Sequence, residues 1–395
     1  MKFIPESKFK ITIAFLIAIV ILAILVMGFD QNQPSAQSVP DKELNYGLVW
    51  YGHGGNSQKA VVGQPNRYFD PDKPTIIFIH GWMPDQAGDP PRFMVDFETL
   101  EGDHSYTLDV ARAWVDRGWN IGIFYWHPFS DEELVWVAED KIWTPDEEAG
   151  MRFRDVDGNY HTEGAPTVSV SEVLLEAYVD AMKDFSGAEI WIAGHSLGNQ
   201  LAVNLTADLI KDAETGNIPN NLIPSRIALL DPFWSPFPKT YLDGLETGEV
   251  IQQKIEQIIL PNDVIVEWYH SSWLTGSTMI RDDIPSLKAQ VVYAELDPAY
   301  CGLLDQICKH DGAWHLYFLS YGSPAPPECI PDEVSESCEP TGESGPMAST
   351  TNPRINEMMS LPYYWVQDVG PDGIDGRLTP QTDDDWFHRF PNETE

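Results

Sequence analysis

Positive charge is scarce in this 395-residue chain: 24 Lys and Arg stand against 61 Asp and Glu, a formal net charge of −37. So acidic a protein repels phosphate backbones and anionic headgroups, which argues against nucleic acid and acidic membrane surfaces as partners. Cysteine is scarce too. Cys301, Cys308, Cys329 and Cys338 form no Cys-x-x-Cys, and no His-rich spacing accompanies them, so no metal site is expected. Closeness in sequence favours the pairings 301–308 and 329–338, and disulfides belong to an oxidising compartment. There is no internal repeat, which excludes solenoids and propellers.

Only one long apolar run occurs, Ile11 to Phe29, behind Lys2, Lys8 and Lys10. It is nearer the ~20 residues of a membrane span than the shorter core of a cleaved signal peptide, and no good small-x-small cleavage site follows. Residues 1–29 are therefore expected to be a signal peptide or, preferably, an uncleaved signal anchor, with the body exported and tethered through 11–29. Residues 30–44, polar with Pro34 and Pro40, read as a linker.

What the chain has in quantity is core: 43 % hydrophobic and 12 % aromatic residues. Apolar runs bounded by turn residues, such as Pro74 to Trp82, Trp119 to Trp126, Ile190 to Ile192 and Arg226 to Asp231, suit buried parallel strands. Helical patterns alternate with them. One helix is announced by a Ser169/Glu172 capping box ahead of an apolar face at Val173, Leu174, Ala177, Tyr178, Ala181, Met182 and Phe185. This alternation predicts an α/β fold with a mostly parallel central sheet and helices on both faces. The expected boundaries are a catalytic domain over 45–325, with an aromatic, acidic insertion at 127–164 that covers the pocket, and a loop-rich, acidic, Pro-rich C-terminal extension over 326–395.

Gly194-His195-Ser196-Leu197-Gly198 sits between an apolar run and a helical pattern. A Gly-x-Ser-x-Gly in that context is a nucleophile elbow, a turn too tight for bulk at its flanks that leaves the serine oxygen exposed. A serine hydroxyl needs a base, and the base an orienting acid. Asp231, ending an apolar strand after the elbow, is the expected acid, with Asp297 the runner-up. Among ten histidines, His310 is the expected base, read as a loop residue directly after the Cys301–Cys308 clip. His315, inside an amphipathic helix, is the alternative base, and His270 a third. The oxyanion donors are expected to be the backbone N–H groups of Leu197 and Trp82, the latter following His80 and Gly81. The chemistry asks for no cofactor.

These residues resemble the pancreatic lipase family of α/β-hydrolases, from about Gly47 to Gly322. His80-Gly81-Trp82 is similar to its oxyanion loop, Gly194 to Gly198 to its elbow, Leu230-Asp231-Pro232 to its Leu-Asp-Pro, and Cys308-Lys309-His310 to its Cys-x-His. The resemblance implies a triad of Ser196, Asp231 and His310 and hydrolysis of acyl esters, with an ester or lipid as substrate. The chain departs from the pattern at Asn199, where the family has alanine. The Cys301–Cys308 loop is too short for a full lid, and the tail differs from the family's lipid-binding β-sandwich. A non-catalytic ligand-binding protein on the same fold, a polyester hydrolase or a peptidase are the rival readings.

Overall fold

The apolar runs become strands, and the turn residues between them set where each strand stops. The computed structural model describes residues 44–84, 97–101, 104–108, 110–155, 157–276, 283–322, 325–331, 338–369 and 385–392. Residues 1–29, expected to be a signal peptide or anchor, and most of the expected linker lie outside these residues. No helix among the described residues is long and apolar enough to cross a membrane.

The strands in chain order are β1 (Gly47–Tyr51), β2 (Ser57–Lys59), β3 (Thr75–Ile79), β4 (Phe97–Glu101), β5 (His104–Leu108), β6 (Asn120–Tyr125), β7 (Phe153–Arg154) and β8 (Tyr160–His161). They continue with β9 (Ile190–His195), β10 (Arg226–Leu230), β11 (Ile265–His270), β12 (Val292–Glu295), β13 (Pro327–Pro331), β14 (Cys338–Ser344), β15 (Tyr363–Asp368) and β16 (Trp386–Pro391). The α-helices are α1 (Val110–Val115), α2 (His127–Ser130), α3 (Val135–Trp143), α4 (Val170–Met182), α5 (Gly198–Glu214), α6 (Thr247–Lys254), α7 (Pro285–Lys288), α8 (Gln306–Leu319) and α9 (Asn352–Met359).

One sheet runs β14-β13-β16-β15-β12-β11-β10-β9-β3-β6-β1-β2. Its centre, β12 through β6, is parallel, and β1 and β2 close one edge antiparallel. Ile76, Phe78, Trp191, Ala193, Ala228 and Leu230 pack with side chains of α1, α8 and α9. Their alternates Ile77, Ile79, Ile192, Ile227 and Leu229 are buried as well. Because successive strand residues point to opposite faces, both faces of the sheet are covered. This is the α/β-hydrolase fold, as the alternation of strand and helix predicts.

Two local expectations hold. The Ser169/Glu172 capping box starts α4. Both disulfides form as expected, Cys301–Cys308 and Cys329–Cys338.

Two expectations are corrected. The described residues after 325 do not form a loop-rich tail: β13 to β16 extend the sheet past β12 and α9 packs near β11 and β12. Long-range partners make this edge. Glu328, fully buried, is met by Arg354, Arg389 and the Trp365 indole. Second, α8 begins at Gln306, so His310 is a helical residue and not a loop residue. The Asp305 side chain caps that helix by accepting from the Cys308 N–H, and the disulfide closes over the cap.

Candidate active site

Strand register brings the site together. Ile79 of β3 lies opposite Gly194 of β9, and His195 lies opposite Leu230 of β10. His80-Gly81-Trp82, Ser196 and Asp231 therefore leave three neighbouring strands at the same rim, the carboxyl end where ligands bind in open α/β sheets.

The glycines are sterically required there. A Cβ on Gly81 would fall 2.6 Å from Ser196 Cβ, one on Gly194 2.4 Å from Gly198 O, and one on Gly198 2.2 Å from Ile79 O. Ser196 takes φ 53°, left-handed for a residue with a side chain. That conformation costs about 1–3 kcal/mol and persists only where surrounding contacts enforce it.

Asp231 is fully buried, and its Oδ2 lies 2.6 Å from His310 Nδ1. The carboxylate also accepts from Ser271 N (2.9 Å), Ser272 N (3.4 Å), Ser272 Oγ (2.5 Å) and Thr275 Oγ1 (2.9 Å). Burial alone would raise its pKa. The His310 hydrogen bond and charge, with His270 and Ser272, overcome burial and hold it at about 2. For His310, burial opposes the charge, but Asp231 and then Asp311 outweigh it and raise the pKa above 6.5. The pair is thus arranged to stabilise an imidazolium when one forms.

His195 lines the other side of His310. Its Nε2–H donates to His310 O at 3.0 Å, and the two rings lie 4.4 Å apart. Burial, then the neighbouring His310, keeps its pKa well below 6.5, so it stays neutral beside the base. No hydrogen bond joins Ser196 Oγ to His310 among the described residues. Catalytic contacts of this kind are often long without substrate.

The other candidates fall away. His315 packs against Trp314, with rings 3.8 Å apart, and faces Tyr300. His270 Nε2–H donates to Thr275 O at 3.1 Å, so it supports the acid loop. Asp297 pairs with Lys309 at 3.1 Å.

The N–H groups of Trp82 and Leu197 have no acceptor among the described residues, as oxyanion donors require. The loop carrying Trp82 is fastened by residues of the 127–164 insertion and just before it. The Trp126 N–H donates to His80 Nε2 (3.1 Å) and the Trp126 indole to His80 O (2.7 Å), which leaves His80 Nδ1–H to donate to Gly81 O (2.9 Å). The Trp82 indole donates to Glu132 O at 2.7 Å. Glu132 in turn is bound to buried Lys141 and to Arg152. Gln200, at the start of α5, donates to buried Glu139 at 2.7 Å and accepts from the Trp143 indole at 2.7 Å. Residues 127–164 are thereby bolted to both the loop carrying Trp82 and the start of α5.

Sequence reasoning passed over Ser271, Ser272 and Thr275 because they follow a strand that ends without a carboxylate. Paired hydroxyls just past a strand end, one strand over from the acid, were the available signal. Cys329, Cys338 and His388 converge, but the two sulfurs are joined to each other and offer no thiolate. Asn204, in an Asn-Leu-Thr sequence of the kind that accepts N-linked glycans, is buried in α5 with its amide held by Ser171 and Lys254.

No family model and no curated protein matches this chain. Among solved structures it is similar to the LpqC poly(3-hydroxybutyrate) depolymerase of Bordetella parapertussis, at 14 % identity and TM-score 0.27 over 51 % of this chain and 56 % of that one. It is also similar to a glucuronoyl esterase from Solibacter usitatus, at 12 % identity and TM-score 0.23 over 60 % and 71 %. The chain thus spans little more than half of the depolymerase. Likeness of this extent carries no argument about activity, and the site rests on the geometry above.

Proposed function

We propose that this chain is an exported serine carboxylester hydrolase of lipase type. The observation that carries the reading is the 2.6 Å His310–Asp231 hydrogen bond beside a left-handed serine on the neighbouring strand end. In this reading His310 Nε2 takes the Ser196 proton as Oγ attacks the acyl carbonyl, and Asp231 holds the imidazolium. The N–H groups of Trp82 and Leu197 stabilise the oxyanion, each worth roughly 3 kcal/mol of barrier. Collapse expels the alcohol with the proton from His310. Water, deprotonated by the same nitrogen, then releases the acid and frees Ser196.

The lipase-type preference is supported by the rim. Phe237, Trp273, Leu303 and Leu304 are 69 %, 65 %, 69 % and 82 % exposed, on loops that follow β10, β11 and β12. Large apolar side chains left in water beside a site favour apolar acyl chains over small polar esters. The two disulfides support export, in keeping with residues 11–29 as a signal or anchor.

The test is a panel of p-nitrophenyl esters of short and long chain plus a phospholipid, with full-length protein and its Ser196→Ala variant. Hydrolysis favouring the longer chains and lost in the variant is expected. Peptide or polyester cleavage without carboxylester turnover would replace the reading, and no turnover of any acyl compound would leave a ligand-binding protein.

A further inference from the structure

Asn199 departs from the lipase pattern, and the reading above gives it no part. Its side chain is fully buried just behind the nucleophile. Nδ2 donates to Ser196 O at 3.0 Å and to Leu230 O at 3.1 Å, and Oδ1 accepts from Leu230 N at 3.0 Å. The amide orientation follows from these partners, since the flipped amide would set oxygen against two carbonyls and nitrogen against an N–H.

Its position explains the use. Ser196 and Asp231 are both non-glycine residues with left-handed backbone, φ 53° and φ 43°. The residues before them, His195 and Leu230, are register partners on adjacent strands. Two strained turns thus leave the sheet side by side, one carrying the nucleophile and the other the acid. The Ser196 N–H makes the last ladder bond, to Leu230 O at 3.1 Å, and past it the β9 backbone turns into α5. The Asn199 amide has one donor end and one acceptor end, as a peptide group has, and it joins the Ser196 peptide to both polar groups of Leu230. An alanine there would leave that bridge unmade.

We propose that Asn199 is a positioning residue that locks the nucleophile's turn to the acid's turn and so sets the register of Ser196 against Asp231 and, through it, His310. This rests on the hydrolase reading for its kinetic consequence, but not for its structural one. Loss of the bridge lets Asp231 drift from His310, and a misplacement of about 1 Å costs on the order of 100-fold in rate.

The test is Asn199→Ala in the full chain. Turnover is expected to fall about 10- to 100-fold with KM little changed. The His310 ring, followed by NMR, should titrate at a lower pH than in wild type as its hydrogen bond to Asp231 loosens. The other ionisable groups facing that ring, Asp311, His195 and, through Asp231, His270, are the same in both proteins. Wild-type kcat and wild-type His310 titration, with only a lowered melting temperature, would overturn the proposal. Asn199→Ser keeps one hydroxyl at the bridge and is the second variant should the alanine form not fold. It is expected to fall between wild type and a broken bridge in both readouts, and wild-type values of both would again overturn the proposal. NMR needs no substrate, so a wild type that hydrolyses no ester counts against the function alone.

Discussion

Strand β10 has a buried charge at each end, and the two ends are built differently. Arg226 opens it. Its guanidinium meets Glu267 twice (2.5 and 2.6 Å), donates to Met347 O and Thr350 O, and lies over the Trp191 ring. Glu267 also accepts from the hydroxyls of Tyr269 and Tyr317. Asp231 follows the strand's other end with a comparable set of donors, but one is His310, whose far ring nitrogen has no partner among the described residues. The first cluster is closed and holds the C-terminal extension to the catalytic sheet. The second keeps one nitrogen unspent beside a serine. A buried polar cluster with every group paired is architecture, and one with a single group left over is a candidate for chemistry.

The comparison breaks most visibly at the open end. Ser196→Ala is expected to lower kcat/KM for an activated ester by about 10⁴-fold or more while leaving thermal stability near wild type. Steady-state kinetics with a parallel melt checks both halves. At the closed end the outcome should reverse. Arg226→Met strands Glu267 unpaired in the core and should cost about 3–5 kcal/mol in a denaturant titration. Below the unfolding transition its kcat/KM should stay within a few-fold of wild type. Loss of activity in the still-folded variant would show that the two ends are not separable.

The open end also responds to pH. Because Asp231 raises the His310 pKa despite burial, the neutral base is lost as pH falls through a value above 6.5, and the acid limb of kcat/KM should lie there. The stability that His310 contributes runs the other way. It is fully present below about 6.5 and is lost as pH rises through the raised value. That of Asp231 is present above about 3.8 and is lost as pH falls toward 2. An acid limb well below 6.5 would mean that the pair is not formed in solution. The smallest effect is reserved for His315→Ala, expected to keep kcat/KM within about threefold while losing some stability through its packing against Trp314.

The sequence made the open end readable and hid the closed one. Gly81, Gly194 and Gly198 stand where no Cβ fits, so turn geometry is written into two short motifs and the strands that carry them. Partners far apart in sequence leave no such trace. Arg226 finds Met347 and Thr350 over 121 and 124 residues, and Glu328 finds Arg389 over 61. Without those pairings the Pro- and Glu-rich stretch after 325 read as loops. From sequence His310 reads as a loop residue because the start of α8 is capped by Asp305 inside a disulfide clip, where no apolar periodicity begins. Asn199 registered only as a departure, since a buried amide inside a helix has no local pattern.

The most direct test of the central claim is the rate at which a fluorophosphonate labels the full-length chain, with the modified residue located by mass spectrometry. Labelling is expected at Ser196, rising with pH as His310 loses its proton, and slowed at least about 100-fold in His310→Ala. Absence of label on Ser196 in folded protein, or labelling that His310→Ala leaves unchanged, would contradict that claim.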